Sequence, residues 1–311
     1  MCYSAMVWAD YRKYIKQFRA KVSIEEFVQL FQLRANGGKV PIPRGMEASF
    51  ADPQTDDERS IKTLIDAFTA SESTRFEQEL FTQRTRLVEA ERKLQAKATK
   101  GAVDSKRIAT NKIARAMDKL ADLRRTDLKD SDSRIYPGTY APVIVIEDGQ
   151  RVIKPMRYQC RPAGKPAFYD TEYPGTYNAR RDNLEGFWRK QFGYSHGLMV
   201  VNAFYEHVRR EVGQATENVI LEFRPRPTQN MLVACLWSRW SAPGEADLLS
   251  FAAITDEPPQ EVAAAGHDRC IIPIKPENMD AWLNPDARNL KALYAVLDDR
   301  ERPYYEHRLA A

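Results

Sequence analysis

From about 57 to 129 the sequence contains no proline and a single glycine, Gly101, although the 311-residue chain holds 18 prolines and 14 glycines. Proline removes a helical hydrogen bond and glycine weakens a helix, so their exclusion from so long a stretch restricts it to helix. The stretch is dense in Ala, Glu, Lys, Arg, Gln and Leu, and Leu80, Leu87 and Leu94 stand seven apart. Beyond Lys100 and Gly101, Ile108, Ile113, Met117, Leu120 and Leu123 continue at spacings of three to five. This pattern predicts two long helices joined near Gly101, an antiparallel hairpin. Its basic residues, Lys97, Lys100, Lys106, Arg107, Lys112, Arg115, Lys119, Arg124 and Arg125, read most simply as a solvated surface. The alternative is a basic arm that touches a nucleic-acid backbone.

The remainder has a different texture. Residues 1–9 (MCYSAMVWA) read as a short apolar strand. Residues 24–35 have helical apolar spacing, with Ser23 as N-cap and Asn36-Gly37-Gly38 as the stop. Residues 39–56 are punctuated loop. From about 134 the chain is β-rich: 142–146, a turn at Asp148-Gly149, 151–153, then 198–203, 219–223, 231–237 and 250–254. Helices are expected over 182–190, 276–283 and 287–297. Strands with few intervening helices indicate an α+β domain rather than a doubly wound sheet. The expected division is therefore 1–56 and 130–311 as one domain, interrupted by a helical insertion at 57–129.

Composition excludes several classes. Four cysteines without a CxxC pair are neither a disulfide scaffold nor a zinc site. No apolar run is long enough to span a membrane, and charged residues scattered through the first thirty argue against a signal peptide. A cytoplasmic setting follows as the expectation. Neither GxGxxG nor a phosphate-binding P-loop is present. A net charge of +4 permits a nucleic-acid partner without requiring one.

Among chemically capable residues, Cys2 is the most informative. Removal of Met1 would leave an α-amine and a thiol on one residue, with ordinary pKa values of about 8 and about 8.5. Such a 1,2-aminothiol condenses with an aldehyde to an imine, and the thiol then closes a thiazolidine ring. The plainer reading is a buried small hydrophobe. Residues 177–183 (YNARRDN) offer Asn178 as a neutral hydrogen-bonding group and Arg180 and Arg181 as planar phosphate donors. Glu206, beside Phe204 and Tyr205, is a carboxyl whose pKa a dry site would raise, suiting it to proton transfer during imine formation. His267, in GHDRCIIP, can donate to a sugar oxygen. Each has a bland alternative: a solvated Arg pair, a Glu paired with Arg209, a capping histidine.

Together and in order, Met1-Cys2, Asn178-Ala179-Arg180, Phe204-Tyr205-Glu206 and His267-Asp268-Arg269 resemble the SRAP family, the SOS response-associated peptidase-like proteins. The resemblance covers residues 1–10 and roughly 134–290, leaving 57–129 outside it. It implies an α+β fold with curled, barrel-like sheets. It implies binding of single-stranded DNA and a thiazolidine crosslink between Cys2 and the ring-opened sugar of an abasic site, in the DNA damage response. Carried across, Cys2 is the nucleophile, Asn178 holds the N-terminal residue and the opened sugar, Glu206 shuttles protons and His267 assists ring opening. Arg180 contacts a phosphate, with Arg181, Tyr158 and Arg161 as further DNA contacts. Lyase-like or peptidase-like activity, no cofactor, no metal, no membrane and a monomeric state complete the expectation, with nucleoid association when DNA is bound. The chain departs from the family in Cys2-Tyr3-Ser4, where Cys-Gly-Arg is usual. It departs again in Tyr158-Gln159-Cys160-Arg161-Pro162, where a Trp-Gly-Leu stretch is usual and Tyr158 takes the stacking role.

Two other readings stay open on the residues alone. One is an N-terminal-nucleophile cysteine amidohydrolase or peptidase. The other is a non-catalytic nucleic-acid-binding protein that acts through its helical hairpin and is indifferent to Cys2.

Overall fold

The computed structural model describes residues 3–7, 10–212 and 215–310. The chain forms two compact units, one made of 1–30, 39–52 and 129–311, the other of 31–38 and 53–128. In chain order the elements up to the hairpin are β1 (Ser4–Val7), α1 (Tyr11–Phe18), β2 (Lys21–Val22), α2 (Ile24–Ala35) and α3 (Arg44–Ala48). The hairpin follows as α4 (Asp56–Ala96) and α5 (Lys100–Arg124). Then come β3 (Arg134–Ile135), β4 (Tyr140–Glu147), β5 (Gln150–Tyr158), α6 (Tyr169–Glu172) and β6 (Asn178–Arg180). The long strands β7 (His196–Val212), β8 (Ala215–Arg226), β9 (Met231–Trp240) and β10 (Leu248–Asp256) are next. The chain ends with α7 (Gln260–Ala264), β11 (Cys270–Ile271), β12 (Pro273–Ile274), α8 (Met279–Leu283), α9 (Leu290–Asp298) and β13 (Tyr304–Leu309).

The larger unit is α+β, and its sheet closes on itself. β4 and β5 pair antiparallel across Asp148-Gly149, both at positive φ (50° and 71°), the two-residue turn that matches strand twist. β5 runs parallel to β10, β10 antiparallel to β9, β9 antiparallel to β7, and β7 antiparallel to β4. Those five pairings complete a ring, the barrel-like curl that the family resemblance implies. Alternation then puts every second residue inside it: Val143 and Val145, Met156 and Tyr158, Met199 and Val201, Val233 and Cys235, Phe251 and Ala253 belong to one buried cluster. The residues between them are buried as well, including Ile144, Ile153, Leu198, Leu232 and Ala252. This is why these strands read as continuous apolar runs.

β7 is longer than the ring needs. Its second half leaves the barrel to pair with β1 on one side (Ser4↔Tyr205, Ala5↔Phe204) and β8 on the other (Phe204↔Phe223). β3 extends that layer beyond β1, and β13 extends it beyond β8. Phe204 and Phe223 stack at 5.0 Å, and Tyr305 of β13 closes on Phe204 at 5.1 Å.

The expected helix over 182–190 is not formed. A single 3-10 turn covers Arg181–Asn183, and turns carry the chain to β7. Within this stretch the Asn183 Oδ1 accepts the Phe187 N–H (3.1 Å), replacing the bond a helix would make to the backbone carbonyl, and Gly193 at φ +86° follows as a turn residue.

The smaller unit is built on the predicted hairpin. Thr55 caps α4 by accepting from Glu58 N–H (3.2 Å), while the Glu58 carboxylate accepts from Gln54 N–H. The break falls at residues 97–99, with Thr99 capping α5 through Ala102 N–H (3.3 Å). Gly101 therefore lies in the first turn of α5 rather than at the junction. Ala102, Ala109 and Ala116, seven apart, are buried along α5 and Ala90 along α4, so the helices are joined by a seam of small side chains. Lys106–Glu91 (3.0 Å), Lys112–Glu79 (3.3 Å) and Arg124–Glu77 (2.9 Å) cross it.

A seam of this kind has no space for a larger side chain. Ala109→Leu should cost about 1–3 kcal/mol by overpacking, whereas Ala114→Leu on the exposed face should stay within about 0.5 kcal/mol. Urea unfolding followed by helical circular dichroism measures both. Equal stabilities would show that the seam is loosely packed.

Candidate functional site

The site is assembled at the point where β7 leaves the barrel. β1 pairs with β7 so that Ser4 lies opposite Tyr205, which brings Tyr3 alongside Glu206. Alternation along β7 turns the Glu206 side chain inward, where it is completely buried, and leaves His207 exposed. The backbone N–H of Tyr3 donates to the Glu206 carboxyl. His267 arrives from the loop between α7 and β11. Gly266, at φ +97°, makes that approach possible: a Cβ there would stand 2.8 Å from Val208 of β7. His267 Nε2 lies 3.1 Å from a Glu206 carboxyl oxygen.

The protonation of this pair follows from burial. Desolvation pushes Glu206 up to about 8, against a smaller opposing effect from the Tyr3 N–H. Burial also lowers His267, offset in part by the backbone carbonyl of Arg269. That carbonyl is 2.9 Å from Nδ1, so Nδ1–H donates to it and Nε2 is left with its lone pair toward Glu206. At neutral pH the consistent state is a carboxylic acid donating to a neutral imidazole. Such a carboxyl is a ready proton donor, and the imidazole beside it can take the proton back.

Aromatic rings gather around Tyr3, whose backbone reaches this pair. The Tyr3 ring meets His207 at 5.0 Å, Tyr136 at 5.9 Å and Tyr177 at 6.2 Å. Tyr3 and Tyr136 are 38% and 40% exposed, enough to offer a ring to a ligand. Arg134 lies between the Tyr136 and Tyr205 rings and donates to Ser4 Oγ (3.0 Å), fixing the start of β1. The sequence reading passed over Tyr3 and Tyr136. Their signal was the replacement of glycine by tyrosine directly after Cys2.

The other expected residues divide. Cys2 lies outside the described residues. Asn178 is buried on β6, which runs parallel to β10 with Asn178 opposite Ala253, one residue beyond the Tyr177 that touches Tyr3. Arg180 is half exposed and pairs with Asp182, a carboxylate it shares with Arg269 (3.7 Å). Arg181 is held by Asp256 (3.1 Å) and by Asp298, so it serves the fold. Tyr158 must be corrected: it is fully buried inside the barrel against Phe251 (5.3 Å) and Tyr177 (5.7 Å), where no base can stack. Its even position on β5 sends it to the interior with Met156. Arg161 is corrected too. It is tied to Asp170 and lies 4.4 Å over Trp240, with Arg157 on the same carboxylate, so it holds a turn together.

Other nucleophiles are poor. Burial pushes the Cys160 thiol up to about 12 and raises Cys235 and Cys270 further. His196 is lowered to about 3 by burial; it accepts from Gly193 N–H (2.9 Å) and donates to the Trp282 carbonyl (3.0 Å). Among the described residues no group of three His, Cys, Asp or Glu side chains could hold a metal ion, and no helix is long and apolar enough to cross a membrane.

Comparison with known proteins adds the following. A family model described as SOS response associated peptidase (SRAP) matches residues 103–309. Nothing among the curated proteins matches the sequence. Similar solved structures include one from Bordetella bronchiseptica, 16% identical with a TM-score of 0.47, covering 60% of this chain and 90% of that one. Another, from Bacteroides thetaiotaomicron, is 14% identical with a TM-score of 0.46, covering 58% and 78% respectively. A phage-related protein from Bordetella bronchiseptica is 17% identical with a TM-score of 0.44, covering 57% and 81%.

The raised Glu206 carboxyl makes a stability prediction. Between about 4.5 and 8 the folded state keeps a proton that the unfolded chain has lost, so stability falls as pH rises through that window. His267, being lowered, acts only as pH falls below its ordinary 6.5. Thermal melts from pH 6.5 to 8.5 should therefore show Glu206→Gln gaining on the wild type by about 1 kcal/mol per pH unit until the carboxyl titrates. Parallel curves would mean that Glu206 ionises normally.

Proposed function

Because the chain belongs to the SRAP family, we propose that it recognises abasic sites in single-stranded DNA and traps them as a thiazolidine on Cys2. At family level, membership carries a DNA-damage-associated role at abasic sites, with DNA–protein crosslinking or peptidase-like activity. The observation that supports the covalent chemistry is the buried acid–imidazole pair of Glu206 and His267, reached by the backbone of Tyr3. Cys2 directly precedes Tyr3 in the sequence, and it is the Tyr3 N–H, part of the peptide bond that joins the two, that donates to the Glu206 carboxyl.

With Met1 removed, the chemistry runs as follows. His267 takes the proton of Glu206 on Nε2 and passes it to the sugar ring oxygen as the hemiacetal opens, while the C1′ hydroxyl gives its own proton back to Glu206, leaving an aldehyde at C1′. The free α-amine of Cys2 adds to that carbon to form a carbinolamine. Glu206 donates its proton to the departing hydroxyl, water leaves, and an imine forms. The thiol sulfur then attacks the imine carbon while its proton passes to nitrogen, closing the five-membered ring. No oxidant or cofactor enters, and reversal uses the same groups. Asn178 orients the N-terminal residue, and Arg180, with Arg269 beside the same Asp182, faces the phosphate. The exposed Tyr3 and Tyr136 rings take over the base-stacking role that the buried Tyr158 is unable to fill.

The test is denaturing electrophoresis of Met1-processed protein with a single-stranded oligonucleotide carrying one abasic site. The expected product is a heat-stable band that needs both the abasic site and Cys2, absent with Cys2→Ala or an undamaged strand. No band, with Met1 shown by mass spectrometry to be gone, would overturn the reading. A second expectation concerns pH. The crosslinking rate should rise as the amine loses its proton and fall above about 8 as Glu206 loses its own. Glu206→Gln should slow the reaction at least ~100-fold and abolish the alkaline limb, as expected for loss of a general acid. A limb that survives in the variant would assign it to another group.

A further inference from the structure

We propose that the free end of the helical hairpin is a second nucleic-acid contact, a basic arm that grips a phosphodiester backbone without reading its sequence. It extends the reading above to a new surface and borrows from it only the class of partner. The argument rests on which charges the hairpin neutralises. Along its shaft, cations are spent on carboxylates across the seam: Lys112 on Glu79, and Arg124 on Glu77. Toward the tip the supply of carboxylates fails. Between residues 84 and 115 the acids are Glu89, Glu91 and Asp104, and two of these are already held by Lys106 and Arg107. Arg84, Arg92, Lys93, Lys97, Lys100 and Arg115 are exposed, and among the described residues none is in an ion pair or a side-chain hydrogen bond.

Such a concentration of like charge repels itself and destabilises the folded tip, so it is an unlikely surface to leave without a counterpart. It extends ~20 Å back from the junction at 97–99 along each helix, since a helix rises about 1.5 Å per residue. A rod of that length lined with flexible ammonium and guanidinium groups suits a repeating polyanion. A lipid surface fits less well, because it needs an apolar face to insert beside the cations. Here Ala90, Ala102 and Ala109 are buried in the seam, and Val88 and Val103 are isolated exposed side chains. The SRAP-type chemistry lies elsewhere in the chain, so the arm adds affinity and not reactivity.

The experiment uses the whole chain and undamaged oligonucleotides, which contain no aldehyde and therefore report nothing about Cys2. Fluorescence anisotropy across a salt series compares the wild type with Arg92→Gln/Lys93→Gln/Lys97→Gln/Lys100→Gln. Neutralising four phosphate contacts should weaken binding at least ~10-fold at low salt and flatten the log K versus log salt slope by about 3 on a single strand. A duplex arm identifies which form is gripped, and loss on either supports the proposal. The charge-preserving set R92K/K93R/K97R/K100R should keep the wild-type slope, and matching helical circular dichroism shows that the hairpin is intact. Unchanged affinity and slope on both nucleic acids would overturn the proposal. So would loss of binding to phosphatidylserine vesicles alone, which would assign the patch to a lipid surface. If Cys2 proves unreactive while the slopes differ, the arm stands and the covalent reading falls.

Discussion

Everything in the larger unit depends on how β7 is shared. In its first half, backbone groups bond to β9 on one edge and β4 on the other, which closes the ring. In its second half the same edges serve β8 and β1. The switch between partners lies around Val201–Phe204, and Glu206 follows immediately. A strand held on both edges has little freedom to shift, because a one-residue slip would carry Glu206 to the exposed face and His207 inward. The position of the carboxyl is thus fixed by hydrogen bonds far from it. β1 inherits the same constraint, since its register on β7 decides that the residue after Cys2 lies beside Glu206.

Burial then determines what the carboxyl does. A carboxylate in this position would have to surrender most of its hydration, and the groups around it return too little to favour the charge. The fold keeps the proton on, at a cost in stability that grows with pH. A glutamine of the same shape would carry no such cost above neutral pH. A carboxyl held protonated at neutral pH is the property on which the proposed proton transfer rests.

Much of this architecture was legible in the sequence, for identifiable reasons. The hairpin could be read because proline and glycine avoid it, and α2 because its apolar spacing and stop signal coincide at Ile24 and Gly37. The β4–β5 hairpin was marked by Asp148-Gly149. Ring closure was only an implication of the family resemblance, because it depends on pairings between strands far apart in sequence. The helix expected over 182–190 failed because the Asn183 side chain accepts the Phe187 N–H (3.1 Å) that a helix would give to the backbone, while Leu184 and Trp188 are buried from turns. α1 was missed because Tyr11, Tyr14 and Phe18 are too few to establish a period on their own. In the site, Glu206 and His267 were named separately, but their 3.1 Å contact depends on the approach that Gly266 allows. Tyr158 misled because residue type suggested stacking while strand parity, which decides the matter, requires an exact register.

The arginines show the same lesson from the side of charge. A basic composition says how many cations exist and nothing about how many are available. In the larger unit the conspicuous ones are committed: Arg157 and Arg161 to Asp170, Arg181 and Arg300 to Asp256, Arg151 to Asp280. The Asp170 and Asp256 carboxylates are largely buried, so breaking either cluster would strand a charge, and these arginines are unsuited to exchange with a passing phosphate; Arg151 is held besides by the Phe18 carbonyl (3.0 Å). Arg180 differs, because both it and its carboxylate two residues away are about half exposed, a pairing that water competes for. Availability, judged by what each guanidinium would have to give up, therefore selects Arg180 from the arginines around the site, and by the same measure it selects the unpaired tip of the hairpin.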